Sequence, residues 1–267
     1  MTVDRRWAAA ALSVLMVATA GCASASGTTR TSVAANLAPQ SVPGKPLAGS
    51  LTGKVVVIDP GHNGANFKHP SYINHLVPAG PHQKACDTTG TSTNSGYAEH
   101  AYTFDVATRL AKILRARGAT VVFTRTNDRG VGPCINQRAA IGNTAHADAA
   151  ISIHGDGAPA KKRGFHVILP GLLRGYTDKI VKPSRQLGYD VRNAFKAGTG
   201  EPYANYLGKS GIDVRTDLGG LNLSKVPKVF IECGNMRNAT DASRMKSAAW
   251  RQRAAQALAN GLANYLI

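Results

Sequence analysis

The sequence predicts an α/β domain in which helices flank a largely parallel central sheet, and three observations carry that prediction. Short Val- and Ile-rich runs alternate along the chain with longer segments of helical periodicity. Several of those runs are almost continuously apolar, as strands covered on both faces are. Polar residues stand at or just beyond their carboxyl ends, where open α/β sheets form their ligand crevice.

The first fifty residues lie outside this pattern. MTVDRRWAAAALSVLMVATAGCASA places Arg5 and Arg6 before an apolar run from Trp7 to Ala20 and then small residues, the build of an export signal over 1–25. The run is short for a permanent membrane-spanning helix. Two endings compete: cleavage after Ala25 in an Ala-x-Ala pattern, or cleavage before Cys22 with lipid added to that cysteine. Ala20-Gly21-Cys22 resembles a bacterial lipobox, with Thr19 where an aliphatic residue is usual. Residues 26–50 are small, polar and punctuated by Pro and Gly, which predicts a tether. Residues 51–267 then form one domain of ordinary size, without an internal repeat.

Within the domain, 54–58 reads as a buried strand bounded by Gly53 and Asp59-Pro60. A connection rich in Gly, Pro, Asn, Thr and His runs from Gly61 to Gly96, longer than compact domains carry without a functional reason. A helix is predicted over 97–117, with Tyr102, Val106, Leu110, Ile113 and Leu114 on one side and Gly118 as its stop. Next come a strand over 119–124, a helix over 135–147, a strand over 148–154 and an apolar run over 164–169. A weaker helical pattern follows Pro183, then a strong strand over 226–232. One long helix over 241–267, with Asp241 near its start, closes the chain.

The formal charge is +17, and the first fifty residues hold only Arg5, Arg6, Arg30 and Lys45 against Asp4, so +14 stays with the domain. That excess favours an anionic partner, and for an exported protein the cell envelope is the expected one. Nucleic acid is disfavoured, because no aromatic-interleaved basic stripe or zinc-finger spacing occurs. Of the four cysteines, Cys86 and Cys134 lie in Gly-, Pro- and Thr-rich loop sequence, whereas Cys233 directly follows a buried strand. An oxidising compartment therefore predicts a Cys86–Cys134 disulfide.

Three metal-competent residues fall at strand ends: His62 after VVVIDPG, His154 after AISI and Glu232 after KVFI. Glu99 opens the helix that follows the long connection, with Thr103, Val106 and Leu110 on its side. Taken singly, His62 reads as a turn cap, His154 as a satisfied core histidine and Glu99 as a partner of the helix dipole. Glu232 resists such a reading, because an ionised carboxylate closing so apolar a strand is costly unless compensated. Together the four change the reading: two imidazoles and one carboxylate suffice to hold a catalytic zinc, with a second carboxylate beside it to move a proton. No local HExxH pattern supports this.

IDPGHNG, Glu99, TRTND (124–128), Arg138 with Asn143, DAAISIH (148–154) and PKVFIECGNMRN (227–238) follow one another in an order that resembles the zinc-dependent N-acetylmuramoyl-L-alanine amidases. The resemblance covers essentially the whole domain. It implies a single α/β domain with one zinc at the carboxyl ends of the strands. The implied reaction is hydrolysis of the amide between N-acetylmuramic acid and L-alanine in peptidoglycan or muropeptides. By motif, His62, Glu99 and His154 would hold the zinc, and Glu232 would be general base and then general acid. Arg138 and Asn143 match recurrent family residues and read as structural or supporting. Between His62 and Glu99 the chain is longer than most members, and the extra sequence holds His69, His75, His82 and Cys86. That segment is expected to supply a supporting or alternative ligand, or to cover the cleft as a hairpin or flap pinned by the disulfide. After Glu232, CGNMRN lacks the aromatic that many relatives carry after the glycine. Two other classes stay open on the residues alone: an envelope-binding protein without turnover, and a zinc peptidase or deacetylase acting on another amide.

Overall fold

The structure, a computed structural model, describes residues 49–267. The predicted export signal, including Cys22, and all but the last two residues of the tether lie outside the described residues. In chain order the elements are β1 (Val55–Pro60), α1 (Pro70–Asn74), β2 (Leu76–Pro78), β3 (Gln83–Ala85), α2 (Glu99–Ala116), β4 (Thr120–Phe123), α3 (Ile135–Thr144), β5 (Ala149–Asp156), β6 (His166–Pro170), α4 (Val181–Thr199), β7 (Ile212–Arg215), α5 (Gly219–Asn222), β8 (Lys228–Asn235), α6 (Ala239–Lys246) and α7 (Ala248–Leu266).

Six strands form the central sheet in the order β4-β1-β5-β8-β6-β7. The first four are mutually parallel; β6 runs antiparallel to β8, and β7 parallel to β6. Side chains on a strand alternate between faces, so each central strand serves two cores. Val56, Ile58, Ile151, Ile153, Val229 and Ile231 join the larger core with α2, α4 and α7. Val57 and Ala150 point the other way, against Ala147, Val122 and Val226. This is why the strands read as unbroken apolar runs. In α2, Tyr102, Val106, Leu110 and Leu114 are fully buried at a spacing of four; each such aliphatic side chain contributes about 1.5–3 kcal/mol.

The structure departs from the sequence reading most at the closing helix and at β7. The closing helix is two helices: Ser247 is extended (φ −75°, ψ 120°), and its hydroxyl accepts from the Trp250 N–H that opens α7. The break turns Trp250 into the core, where it is 2% exposed and meets Phe195 edge-on. β7 was not predicted, because IDVR is short, and as an edge strand it leaves Val214 exposed. The long connection holds α1 and the antiparallel β2–β3 hairpin, in line with the hairpin alternative expected for it. Immediately after the hairpin, Cys86 forms the predicted disulfide with Cys134, and Cys233 remains a buried free thiol. Among the described residues no helix is long and apolar enough to cross a membrane.

Candidate metal centre

The parallel strands aim their carboxyl ends at one cleft of about 350 Å³. β1 ends in Asp59-Pro60, and the chain turns through Gly61 so sharply that a Cβ there would collide with the His154 ring. His62 follows at φ 60°, a left-handed conformation uncommon for a residue with a side chain. His154 lies near the end of the neighbouring β5, and Glu99 is the first residue of α2. The two Glu99 oxygens accept from the Gly155 N–H (3.2 Å) and the Thr91 N–H (2.8 Å), which fixes the carboxylate from both sides of the cleft.

Nε2 of His62 and Nδ1 of His154 converge on a single oxygen, Oε1 of Glu99, at 3.2 and 2.9 Å. The donor atoms of the three residues all lie within 4.8 Å of one another. Zinc bonds of about 2.0–2.1 Å in a tetrahedral arrangement hold ligand atoms roughly 3.3 Å apart, so both the donor set and its spacing fit one such ion. The electrostatics agree. Burial opposes an imidazolium at His62, yet the Glu99 and Asp87 carboxylates outweigh it and push His62 up to about 10. Burial also works against the Glu99 carboxylate, but His62 and His154 hold it below the usual range. The cradle thus favours a positive charge between these groups. His154 itself is pulled down by burial and stacks on Phe230 at 3.9 Å.

Glu232 is the register partner of His154 on the adjacent strand β8, so both side chains stand on the same face of the sheet. Its Oε2 is buried without a hydrogen-bond partner. Burial, followed by the charges of Glu99 and Asp156, pushes its carboxyl well above the ordinary range. A proton-seeking oxygen therefore faces the cleft beside the cation cradle.

The other predicted residues fall around this centre. Arg138 is 5% exposed, and its guanidinium donates to the carbonyls of Pro60 (2.8 Å) and His62 (3.0 Å) and to Asp59 Oδ1 (2.9 Å). It therefore clamps the turn that presents His62. Asn143 lies farther away, donating to the Leu223 carbonyl and accepting from the Lys225 N–H in the approach to β8. None of His69, His75 and His82 joins the donor cluster. His75 instead lies 3.9 Å from the Cys134 sulfur, and that second cluster has no thiolate to offer, because Cys86 and Cys134 are bonded to one another. The hairpin forms one wall of the cleft through Lys84 and Ala85.

Sequence reasoning missed Asp59 and Asp87. Asp59 is 4% exposed and paired with Arg138 and Lys228; like Glu232, it is a carboxylate near the end of an apolar strand. Asp87, 3.1 Å from His62 Nδ1, had no comparable signal.

The sequence pattern of the family described as N-acetylmuramoyl-L-alanine amidase matches residues 56–264, nearly all of the domain that carries this centre. The chain belongs to that family. It is 42% identical over 223 residues to the N-acetylmuramoyl-L-alanine amidase Rv3717 of Mycobacterium tuberculosis, a match covering 81% of this chain and 88% of that protein. The probable cell wall amidase LytH of Staphylococcus epidermidis is 28% identical over 216 residues, covering 80% of this chain and 59% of LytH. The crystal structure of the N-acetylmuramyl-L-alanine amidase Ami1 from Mycobacterium smegmatis matches at a TM-score of 0.76 and 40% identity, over 81% of this chain and 98% of Ami1. This amidase-family domain therefore shares the single-domain α/β architecture of solved amidases, and its donor cluster suits the zinc dependence general in the family.

Proposed function

We propose that this domain hydrolyses the amide joining the lactyl group of N-acetylmuramic acid to the first L-alanine of the stem peptide, in peptidoglycan or its fragments. His62, Glu99 and His154 hold one zinc ion, which when bound polarises a carbonyl and makes water more acidic. The observation that carries the reading is the unpartnered Glu232 oxygen beside the three-donor cradle, in a chain of this family.

The chain's own groups then divide the work. Gly61 leaves the space that the His154 ring occupies, and Phe230 stacks on that ring. Glu232 takes a proton from the attacking water as the C–O bond forms, and returns it to the alanine nitrogen as the C–N bond breaks. The products are the lactyl carboxylate and a free stem-peptide amine. With a cation in the cradle the charge of Glu99 is offset, which lowers the Glu232 carboxyl toward the range where it both accepts and releases a proton. Cell-wall homologues and the basic domain surface support action outside the cytoplasm, after export through residues 1–25 with simple secretion or lipid anchoring at Cys22.

The test is mass spectrometry of the products from a defined muramyl peptide, using metal-stripped protein and the same protein restored with zinc. Zinc-dependent release of a stem peptide with a free L-alanine amino terminus is expected. Glu232→Gln should abolish that release while binding zinc as the parent does. A variant that retains turnover removes Glu232 from its role, and a parent that cleaves nothing supports a binding protein instead.

A further inference from the structure

We propose that Asp87 is the positioning residue for His62, and that the Cys86–Cys134 disulfide keeps Asp87 in place; this rests on the reading of His62, Glu99 and His154 as the metal site. His62 Nδ1 faces Asp87 Oδ1 and the Thr88 carbonyl oxygen, both at 3.1 Å. The Thr88 hydroxyl is 3.3 Å away. A carboxylate and a carbonyl can only accept, so Nδ1 carries a hydrogen and Nε2, the nitrogen that faces Glu99, is the one left to offer its lone pair to a cation in the cradle. Metal-ligating histidines are held in this way by carboxylates whose loss weakens metal binding.

Asp87 is itself over-determined. Its Oδ2 accepts from Asn63 Nδ2 (2.9 Å) and Arg138 Nη2 (3.3 Å), and its Oδ1 accepts from the Thr88 N–H (2.7 Å). The residue before it, Cys86, is bonded to Cys134, the residue that caps α3, and the Ile135 N–H donates to the Cys86 carbonyl (2.9 Å). Arg138 stands one turn into α3. The disulfide thus fastens together the two segments whose side chains meet at Asp87 and Arg138. Gly90, three residues on, has φ +74°, and a Cβ there would come within 2.7 Å of His62 Cδ2 and 2.8 Å of Glu99 Oε2. The loop that starts at Asp87 therefore lies directly on two of the three ligands. Part of the metal site's support comes from outside the sheet, on a segment cross-linked to the body of the domain next to Asp87.

The experiment measures zinc affinity by competition with a chromophoric chelator, on the full chain and on Asp87→Ala, Asp87→Asn, Cys86→Ser/Cys134→Ser and His62→Ala. Unfolding of each metal-free protein is followed by circular dichroism. Asp87→Ala should lose roughly 10–100-fold in zinc affinity. Asp87→Asn keeps the shape and one acceptor but not the charge, so it should lose less. The double cysteine variant should move in the same direction. If Asp87→Ala does not fold, Asp87→Asn decides. Asp87 variants that melt lower yet bind zinc within threefold of the parent overturn the positioning role, and an unchanged cysteine variant removes the disulfide from it. A His62→Ala protein that binds as tightly as the parent overturns the metal-site reading itself.

Discussion

Replacing Arg138 by Ala should destabilise the metal-free domain by about 3–5 kcal/mol, the cost of breaking a buried ion pair by removing one partner. The structure shows why the site reaches that range. Arg138 and Lys228 face Asp59 and Asp87, all four nearly inaccessible, so the cluster is charge-balanced. Without Arg138 one buried negative charge is left over. Asp59 keeps Lys228 at 3.0 Å, Thr124 at 2.7 Å and the Ser152 hydroxyl, but Asp87 loses the one cation besides His62 that pairs with it among the described residues. The carbonyls of Pro60, His62 and Pro133 lose a donor as well. For a domain of this size each kcal/mol lowers the melting temperature by about 2–4 °C, so the drop should be roughly 6–20 °C. Urea unfolding of metal-stripped protein isolates the effect from zinc binding. Arg138→Lys keeps the charge but cannot span both carboxylates and three carbonyls, so it should lose less. An Arg138→Ala protein within about 1 kcal/mol of the parent would refute the argument, as would a lysine variant equally damaged. The sign with pH is also fixed. Burial raises the Asp59 carboxyl, but Lys228 and Arg138 outweigh it and hold it well below its usual value. Its stabilisation is therefore present above the unfolded carboxylate range of about 3.9 and lost as pH falls through the folded value.

Two further outcomes are expected. Asp156→Asn removes one of the negative charges that raise Glu232, so the acidic limb of the pH profile of kcat/KM should move to lower pH; a limb that stays put or rises would mean that Glu232 does not set it. Closing the 48-residue interval between Cys86 and Cys134 should stabilise the domain by about 4 kcal/mol on chain-entropy grounds, so reductant should lower the urea midpoint of the parent but not of a protein with both cysteines replaced by Ser.

How much of this was legible in the sequence depended on whether a residue's neighbours were local. The parallel strands announced themselves because a strand covered on both faces must be apolar at every position, as Val55 to Ile58 and Val229 to Ile231 are. β7 did not, since Ile212 to Arg215 has a single partner strand and an exposed face that tolerates polar residues. The break at Ser247 was hidden for a different reason. Local periodicity allows an unbroken helix there, and only the position of Phe195, 55 residues earlier in sequence, shows where Trp250 must go.

The site divides along the same line. His62, His154 and Glu232 could be picked out because the ends of parallel strands are a place that sequence can locate, and a charged or metal-competent residue there needs a reason. Glu99 required a helix start and a family pattern in addition. Asp87 could not be found by either route, because its contacts lie across space, to a histidine 25 residues earlier and an arginine 51 residues later, and its neighbour Cys86 is bonded to Cys134. His62 and His154 occupy positions set by the sheet and Glu99 one set by the start of α2, whereas Asp87, the proposed orienting group, lies on a loop that reaches over the sheet, next to the Cys86–Cys134 cross-link.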